Sequence, residues 1–230
     1  AEPVSFSAGL HVPPKNYFRH LKELLSYHEI ELIADEVVTG FGRTGKMWGS
    51  ESVNFAPDHS TMGKGITSGY FPLSAIAIGK SLYDKMKAKS KNIGSFAHAA
   101  TYAAHPVGAA AALKTLEIIK REKLLEHSAE MGRLLEAELR PLGEHPMVGD
   151  IRCHGLAAAI DFRIRDEDDK LVEVDPTIPC DKIYQELIDH GLITRPVNGS
   201  LLIAPPLITT REQIFEISDK ICSAFKTFDK

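Results

Sequence analysis

Basic charge, cysteine and long apolar runs are all scarce in this sequence, and each shortage removes a class of function. The chain carries 27 Lys and Arg against 31 Asp and Glu, a formal net charge of -4. No basic excess is available to drive counterion release from a nucleic acid or an anionic membrane. The three cysteines, Cys153, Cys180 and Cys222, are odd in number and far apart. No pair has metal-ligand spacing, so reduced thiols in a cytoplasmic protein are expected. Ten histidines contain no His-x-x-x-His pair and join no Cys/His cluster, so no metal site is expected either. The apolar runs are too short to span a bilayer. The opening AEPVSFSAGLHVPP lacks the basic segment and apolar core of a signal peptide. It also lacks an initiator methionine, and AEPV reads as the end of a buried strand, so further sequence is expected upstream of Ala1. No internal repeat or low-complexity segment is present.

What remains is a chain of 230 residues, 43% hydrophobic, enough for one large domain or two smaller ones. Lys15 to His28 places Phe18, Leu21, Leu24 and Leu25 at helical spacing after a Pro-Pro stop. ELIADE follows as a short apolar strand ending in two acids, and TGFGRTG is a glycine-rich loop. FPLSAIAIG has the small apolar residues of a buried strand. This helix, strand, loop, strand order is the α/β pattern with a mostly parallel sheet. From His105 one long helical region is expected up to Pro141. Beyond it the spacing predicts a hairpin over MVGDIRCHGLAAAIDFRI, a solvated DEDDK tip, and a helix DKIYQELIDHG ending at Gly191. Two short strands, LITRPV and SLLIAPPL, and a closing amphipathic helix complete it. The expected domains are residues 1–122, the later part of a large domain, and 123–230, a smaller α+β domain with its linking helix.

Two residues carry the chemistry. Asp35 stands at the C-terminal end of the apolar strand, where α/β sheets place ligand-binding groups. Its bland alternative is a helix cap or a loop salt bridge. Lys64 lies in TMGKGITSGYFPLS between two glycines. A nucleotide-phosphate lysine requires G-x-x-x-x-G-K-[ST], and no glycine stands five residues before Gly63. A surface lysine is the ordinary reading. The small, apolar flanks argue instead for a tight, partly buried site with a lowered pKa, as a Schiff-base lysine requires. Pyridoxal phosphate (PLP) enzymes combine such a lysine with an acid at the pyridinium nitrogen.

Four segments in order, LIADEVVTGFGRTGKMWGSE, PDHSTMGKGITSGYFPLSAIAIG, FAHAATYAAHPVGAAAAL and LITRPVNGSLLIAPPLITT, resemble the class III aminotransferases. These are fold-type I PLP enzymes that include the ω-amino acid and amine:pyruvate transaminases. The resemblance implies that Lys64 is the Schiff-base lysine and then general base and acid. It implies that Asp35 pairs with the ring nitrogen and Val37 packs on the ring face. Thr101 matches the threonine that reaches the cofactor phosphate of a partner subunit, which implies a homodimer or larger assembly with shared active sites. Arg195 matches an arginine that receives the substrate carboxylate, where its planar fork suits bidentate binding; the alternative is a structural salt bridge. Trp48 either lines the substrate entrance or is a packed loop aromatic. The sequence departs from the family at Val38, where many members have glutamine, and this favours the branch that uses an ω-amino acid or amine with pyruvate. Ala99, Ala103 and Ala104 replace the usual glycine or serine around Thr101. The family's phosphate cup has no counterpart among these residues, so the chain alone is expected to hold PLP poorly. An aminomutase or decarboxylase on the same scaffold, or a catalytically silent half-protein that dimerises without PLP, are the competing readings.

Overall fold

The computed structural model describes residues 1–96, 98, 100–165, 171–172 and 177–227. Ala99 and the DEDDK tip, residues 166–170, lie outside them. The chain forms two compact units. Residues 1–3, 13–41 and 48–123 make the first, and residues 4–12, 42–47 and 124–230 the second.

In the first unit, helix α1 (Tyr17–Tyr27) follows Pro13 and Pro14 and leads to strand β1 (Ile33–Asp35). Phe18 anchors α1 by stacking on Phe55 at 3.9 Å between ring centroids. A short helix α2 (Gly49–Ser52) precedes β2 (His59–Met62), and β3 (Ala75–Ala77) closes a sheet of order β1-β2-β3. β1 and β2 run parallel with Asp35 opposite Thr61, whereas β3 is antiparallel to β2. FPLSAIAIG therefore departs from its expectation as a buried strand. Only three of its residues are extended, among the described residues they form an edge, and Ile76 is 70% exposed. An edge strand packs on one neighbour only, so small apolar residues there need not be buried.

Helix α3 (Lys80–Ile93) has no buried residue, and only the row Leu82, Met86 and Ser90 is half-buried. The expected single helix after His105 is two, α4 (Pro106–Arg121) and α5 (Leu124–Leu139), the second belonging to the second unit. Between them Lys123 takes a left-handed φ of 51°. Such a residue ends a helix, but the stop is usually written as glycine or asparagine, and here it is a lysine.

The second unit continues with β4 (Val148–Cys153), β5 (Ala158–Phe162), β6 (Ile164–Arg165), β7 (Leu171–Val172) and α6 (Thr177–Asp189). It ends with β8 (Arg195–Val197), β9 (Ser200–Ile203) and α7 (Arg211–Lys226). Its main sheet is antiparallel, in the order β4-β5-β9-β8. The core includes Leu135 and Leu139 from α5, Ile160 and Leu201 from the central strands, Ile183 and Leu187 from α6, and Ile214, Ile221 and Phe225 from α7. Burying each such side chain contributes about 1.5–3 kcal/mol, so this α+β unit is organised around the apolar faces of its three helices. Among the described residues, no helix is long and apolar enough to cross a membrane.

Candidate active site

The parallel pair β1-β2 ends in the two residues singled out by chemistry. Asp35 is the last residue of β1, half-buried, and its Oδ1 accepts hydrogen bonds from Val37 N at 3.0 Å and Thr61 Oγ1 at 3.3 Å. Among the described residues Oδ2 accepts none, so one carboxylate oxygen is fixed and the other is uncommitted. β2 runs on through Gly63 to Lys64, which opens a single 3-10 turn, Lys64–Ile66. A Cβ at Gly63 would lie 3.5 Å from Val37 Cγ1, so the Val37 side chain sits against the backbone just before Lys64. Asp35, Val37 and Lys64 are thus gathered at the C-terminal edge of one parallel strand pair, the edge where α/β sheets bind ligands.

Lys64 corrects one expectation. Gly63, Ile66 and Thr67 are buried, but the Lys64 side chain is exposed and makes no ion pair or hydrogen bond among the described residues. Its φ of 40° carries the side chain out of the packed turn while the backbone stays within it. A left-handed non-glycine residue is strained, and strain of this kind gathers at functional sites.

The loop after β1 is built by the second acid. Glu36 is only 1% exposed. Its Oε2 accepts from Thr39 Oγ1 and from Gly49 N at 2.8 Å, and its Oε1 accepts from Ser50 N at 2.9 Å. Trp48 is held beside this turn, edge-on to Phe41 at 5.1 Å. A Cβ at Gly40 would approach its ring to 3.3 Å. Trp48 is therefore a packed loop aromatic in this unit. Sequence reasoning passed over Glu36, and its partners 13 and 14 residues further on leave no local signature.

Thr101 lies in an exposed turn closed by Ala103 N donating to Ala100 O at 2.9 Å. The following helix α4 is capped by His105, whose Nδ1 accepts from Val107 N at 3.3 Å. The His105 ring lies 5.0 Å from that of Phe71, and a Cβ at Gly108 would come within 2.8 Å of Phe71 Cδ1. Phe71 is in turn tied to the Lys64 turn by Thr67 Oγ1, which donates to Phe71 O at 2.6 Å. The Thr101 turn and the Lys64 turn are therefore connected through Phe71. Arg195 belongs to the second unit, where it opens β8 opposite Leu202 with an exposed side chain and no ion pair among the described residues.

A second arginine of the second unit has a structural task. Arg43 Nη1 donates to Leu156 O and Pro205 O, both at 2.7 Å, and burial draws its pKa down to about 10. Arg152 chelates Asp161, which also accepts from Ser200 Oγ. Burial pushes the Asp161 carboxyl up, but these hydrogen bonds outweigh it and hold the group below the usual carboxylate range.

This fold is that of the fold-type I PLP-dependent transferases. The omega transaminase from Pseudomonas jessenii in complex with PMP superposes with a TM-score of 0.93 at 34% identity, over 99% of this chain and 50% of that one. Residues 1–225 match the family model of the class-III aminotransferases, and the chain belongs to that family. It is 41% identical over 221 residues to an uncharacterized aminotransferase of Sinorhizobium fredii, covering 94% of this chain and 47% of the relative. It is 37% identical to the diaminobutyrate–2-oxoglutarate transaminase of Halomonas elongata, covering 94% of this chain and 46% of the relative. It is 34% identical to the putrescine–pyruvate aminotransferase of Pseudomonas aeruginosa, again covering 94% and 46%. The chain thus spans about half the length of the curated relatives it matches.

The residues at the strand edge fit one side of PLP. A ring nitrogen needs an acid with a free oxygen, a ring face needs an apolar side chain, and the aldehyde needs an unpaired amine. Among the described residues, Asp35 Oδ2 with no donor, the Val37 side chain and Lys64 Nζ with no partner are groups of these three kinds.

Proposed function

We propose that this chain supplies the lysine and the acid of a PLP-dependent transaminase site that moves an amino group from an ω-amino acid or amine to a keto acid, with pyruvate as acceptor. The observation that carries the reading is the exposed Lys64, unpaired among the described residues and at a left-handed φ, just beyond the strand whose parallel neighbour ends in Asp35. When bound, PLP supplies an aldehyde and an electron sink. Asp35 Oδ2 would accept a hydrogen bond from the protonated ring nitrogen, and Val37 would lie against the ring face. Lys64 Nζ is the covalent anchor. When not so bound, it would take a proton from the amine-bearing carbon of the donor and deliver it to a different carbon, the work of a positioned base and acid. Thr101 donates a hydroxyl to the phosphate of a partner subunit, a role in a homodimer supported by its exposed turn and by its neighbour Tyr102, 82% exposed. Arg195 receives a substrate carboxylate. Val38 supports pyruvate over 2-oxoglutarate. The three thiols are free, and burial pushes those of Cys153 and Cys180 up to about 11, in keeping with a reducing cytoplasm.

The direct test is chemical. Borohydride treatment after incubation with PLP is expected to leave a pyridoxyl group on Lys64, located by peptide mass spectrometry, and none there in Lys64→Ala. Labelling of Lys64 no greater than that of the other lysines would overturn the assignment. Incubating amine donors with pyruvate or 2-oxoglutarate is expected to give alanine, and glutamate alone would overturn the acceptor.

A further inference from the structure

We propose that Glu36 is a positioning residue for Lys64, acting through the turn that carries Trp48 and Phe41. Alternation along β1 sends neighbouring side chains to opposite faces, so Asp35 offers an oxygen at the strand edge while Glu36 enters the interior. There its carboxylate takes three hydrogen bonds, from Thr39 Oγ1, Gly49 N and Ser50 N, and its own N donates to Thr61 O on β2 at 2.9 Å. Its carbonyl accepts from Gly40 N at 3.0 Å. One residue thereby ties the start of the loop, the start of α2 and the strand leading to Lys64.

The clamp reaches Lys64 by contact. Gly49 and Ser50 directly follow Trp48, and Trp48 N is held by Glu51 Oε2 at 3.1 Å. The Trp48 ring closes over Gly40 and the edge of Phe41. Phe41, buried and left-handed at φ 61°, lies against Gly65, where a Cβ would come within 3.0 Å of the Phe41 Cβ. Gly65 is the residue after Lys64. Releasing Gly49 and Ser50 frees Trp48, then Phe41, and then the turn whose strained backbone presents the amine. Displacing a reacting group by a fraction of its reach lowers its reactivity without unfolding the protein around it.

Glutamine cannot replace this acid. An amide has one accepting oxygen and a nitrogen that only donates, so in Glu36→Gln at least one buried N–H faces a donor. The test compares the parent chain, Glu36→Gln and Phe41→Ala, which takes the ring off Gly65 and Trp48 but leaves the three carboxylate bonds intact. Hydrogen exchange of the amides of Gly63 to Thr67 needs no cofactor, and in both variants it is expected to accelerate about tenfold while α1 is unchanged. Trp48 is the sole tryptophan, and its emission is expected to shift to the red in Glu36→Gln. The ratio of pyridoxyl label on Lys64 to that on surface lysines is expected to fall about tenfold in both variants. The proposal rests on Lys64 being the PLP lysine only for this last readout. Unselective labelling in the parent chain sinks that assignment, and the exchange data still decide the clamp. Unchanged exchange at Gly63 to Thr67 in folded Glu36→Gln or Phe41→Ala overturns the proposal, as does faster exchange with an unchanged Lys64 ratio.

Discussion

Replacing Arg43 by methionine should cost the second unit about 3 kcal/mol, although it removes a buried charge. Burial alone is unfavourable to the guanidinium. It lowers the pKa from 12.5 to about 10, which at about 1.4 kcal/mol per unit is roughly 3 kcal/mol against the charged form. Two hydrogen bonds to the carbonyls of Leu156 and Pro205 oppose this. In an apolar medium each is worth about 4–6 kcal/mol, so the bonds win. Net of water, two charge-assisted bonds contribute about 3–6 kcal/mol. Methionine recovers about 1–2 kcal/mol of that through its own apolar burial. A loss of about 3 kcal/mol corresponds to a fall of about 10 °C in the melting temperature of a unit this size. Thermal and urea unfolding followed by circular dichroism would measure it, with the midpoint lowered and the urea slope unchanged. Arg43→Lys should fall between, because an ammonium cannot fork to both carbonyls. A change below about 0.5 kcal/mol in Arg43→Met, the scale of an ordinary surface substitution, would refute this balance and place Arg43 among the dispensable contacts.

Asp161 gives a pH dependence. Its folded pKa lies below the ordinary carboxylate value of 3.8, so the stability it contributes is present above that value and is lost as pH falls through the folded one. Urea titrations between neutral pH and about pH 2 should show this slope, and Asp161→Asn should flatten it. Gly132→Ala should destabilise by about 3 kcal/mol or more, because the new Cβ would lie 2.1 Å from Gly155 O, backbone that cannot rotate away. Lys64→Gly should match or exceed the parent in stability by about 1 kcal/mol in chemical denaturation, while losing the pyridoxyl label entirely. A destabilised Lys64→Gly would show that the left-handed backbone at Lys64 stores no strain.

Much of the fold is written in local patterns. The closing helix α7 and the β4-β5 hairpin follow from apolar periodicity and turn residues, because their buried faces, with Ile214, Ile221 and Ile160, belong to one core. Where the pattern fails, burial is decided by partners far along the chain. Ala75–Ala77 has the composition of a buried strand, but strand composition carries no information on where a second neighbour lies, and none lies among the described residues. The helix break at Lys123 is illegible for a different reason: the left-handed residue has no glycine to mark it, and Arg121, Glu122 and Lys123 each favour continuing the helix.

The site divides along the same line. The glycines that single out Lys64 in the sequence have a packing reason: Gly63 leaves room for Val37 and Gly65 for Phe41. The adjacent acids Asp35 and Glu36 were not equally legible. A period of two says that they face opposite ways, but nothing local says which one keeps a free oxygen. That is settled by where the donors lie. Thr61 and Val37 take one oxygen of Asp35 and leave the other, whereas Thr39, Gly49 and Ser50 occupy both oxygens of Glu36. An acid with both oxygens bound inside the protein has little left to offer a ligand and can only shape the chain around it. An acid with one oxygen bound is oriented and still available, and that difference, set 13 and 14 residues away, separates the proposed ligand acid from the proposed clamp.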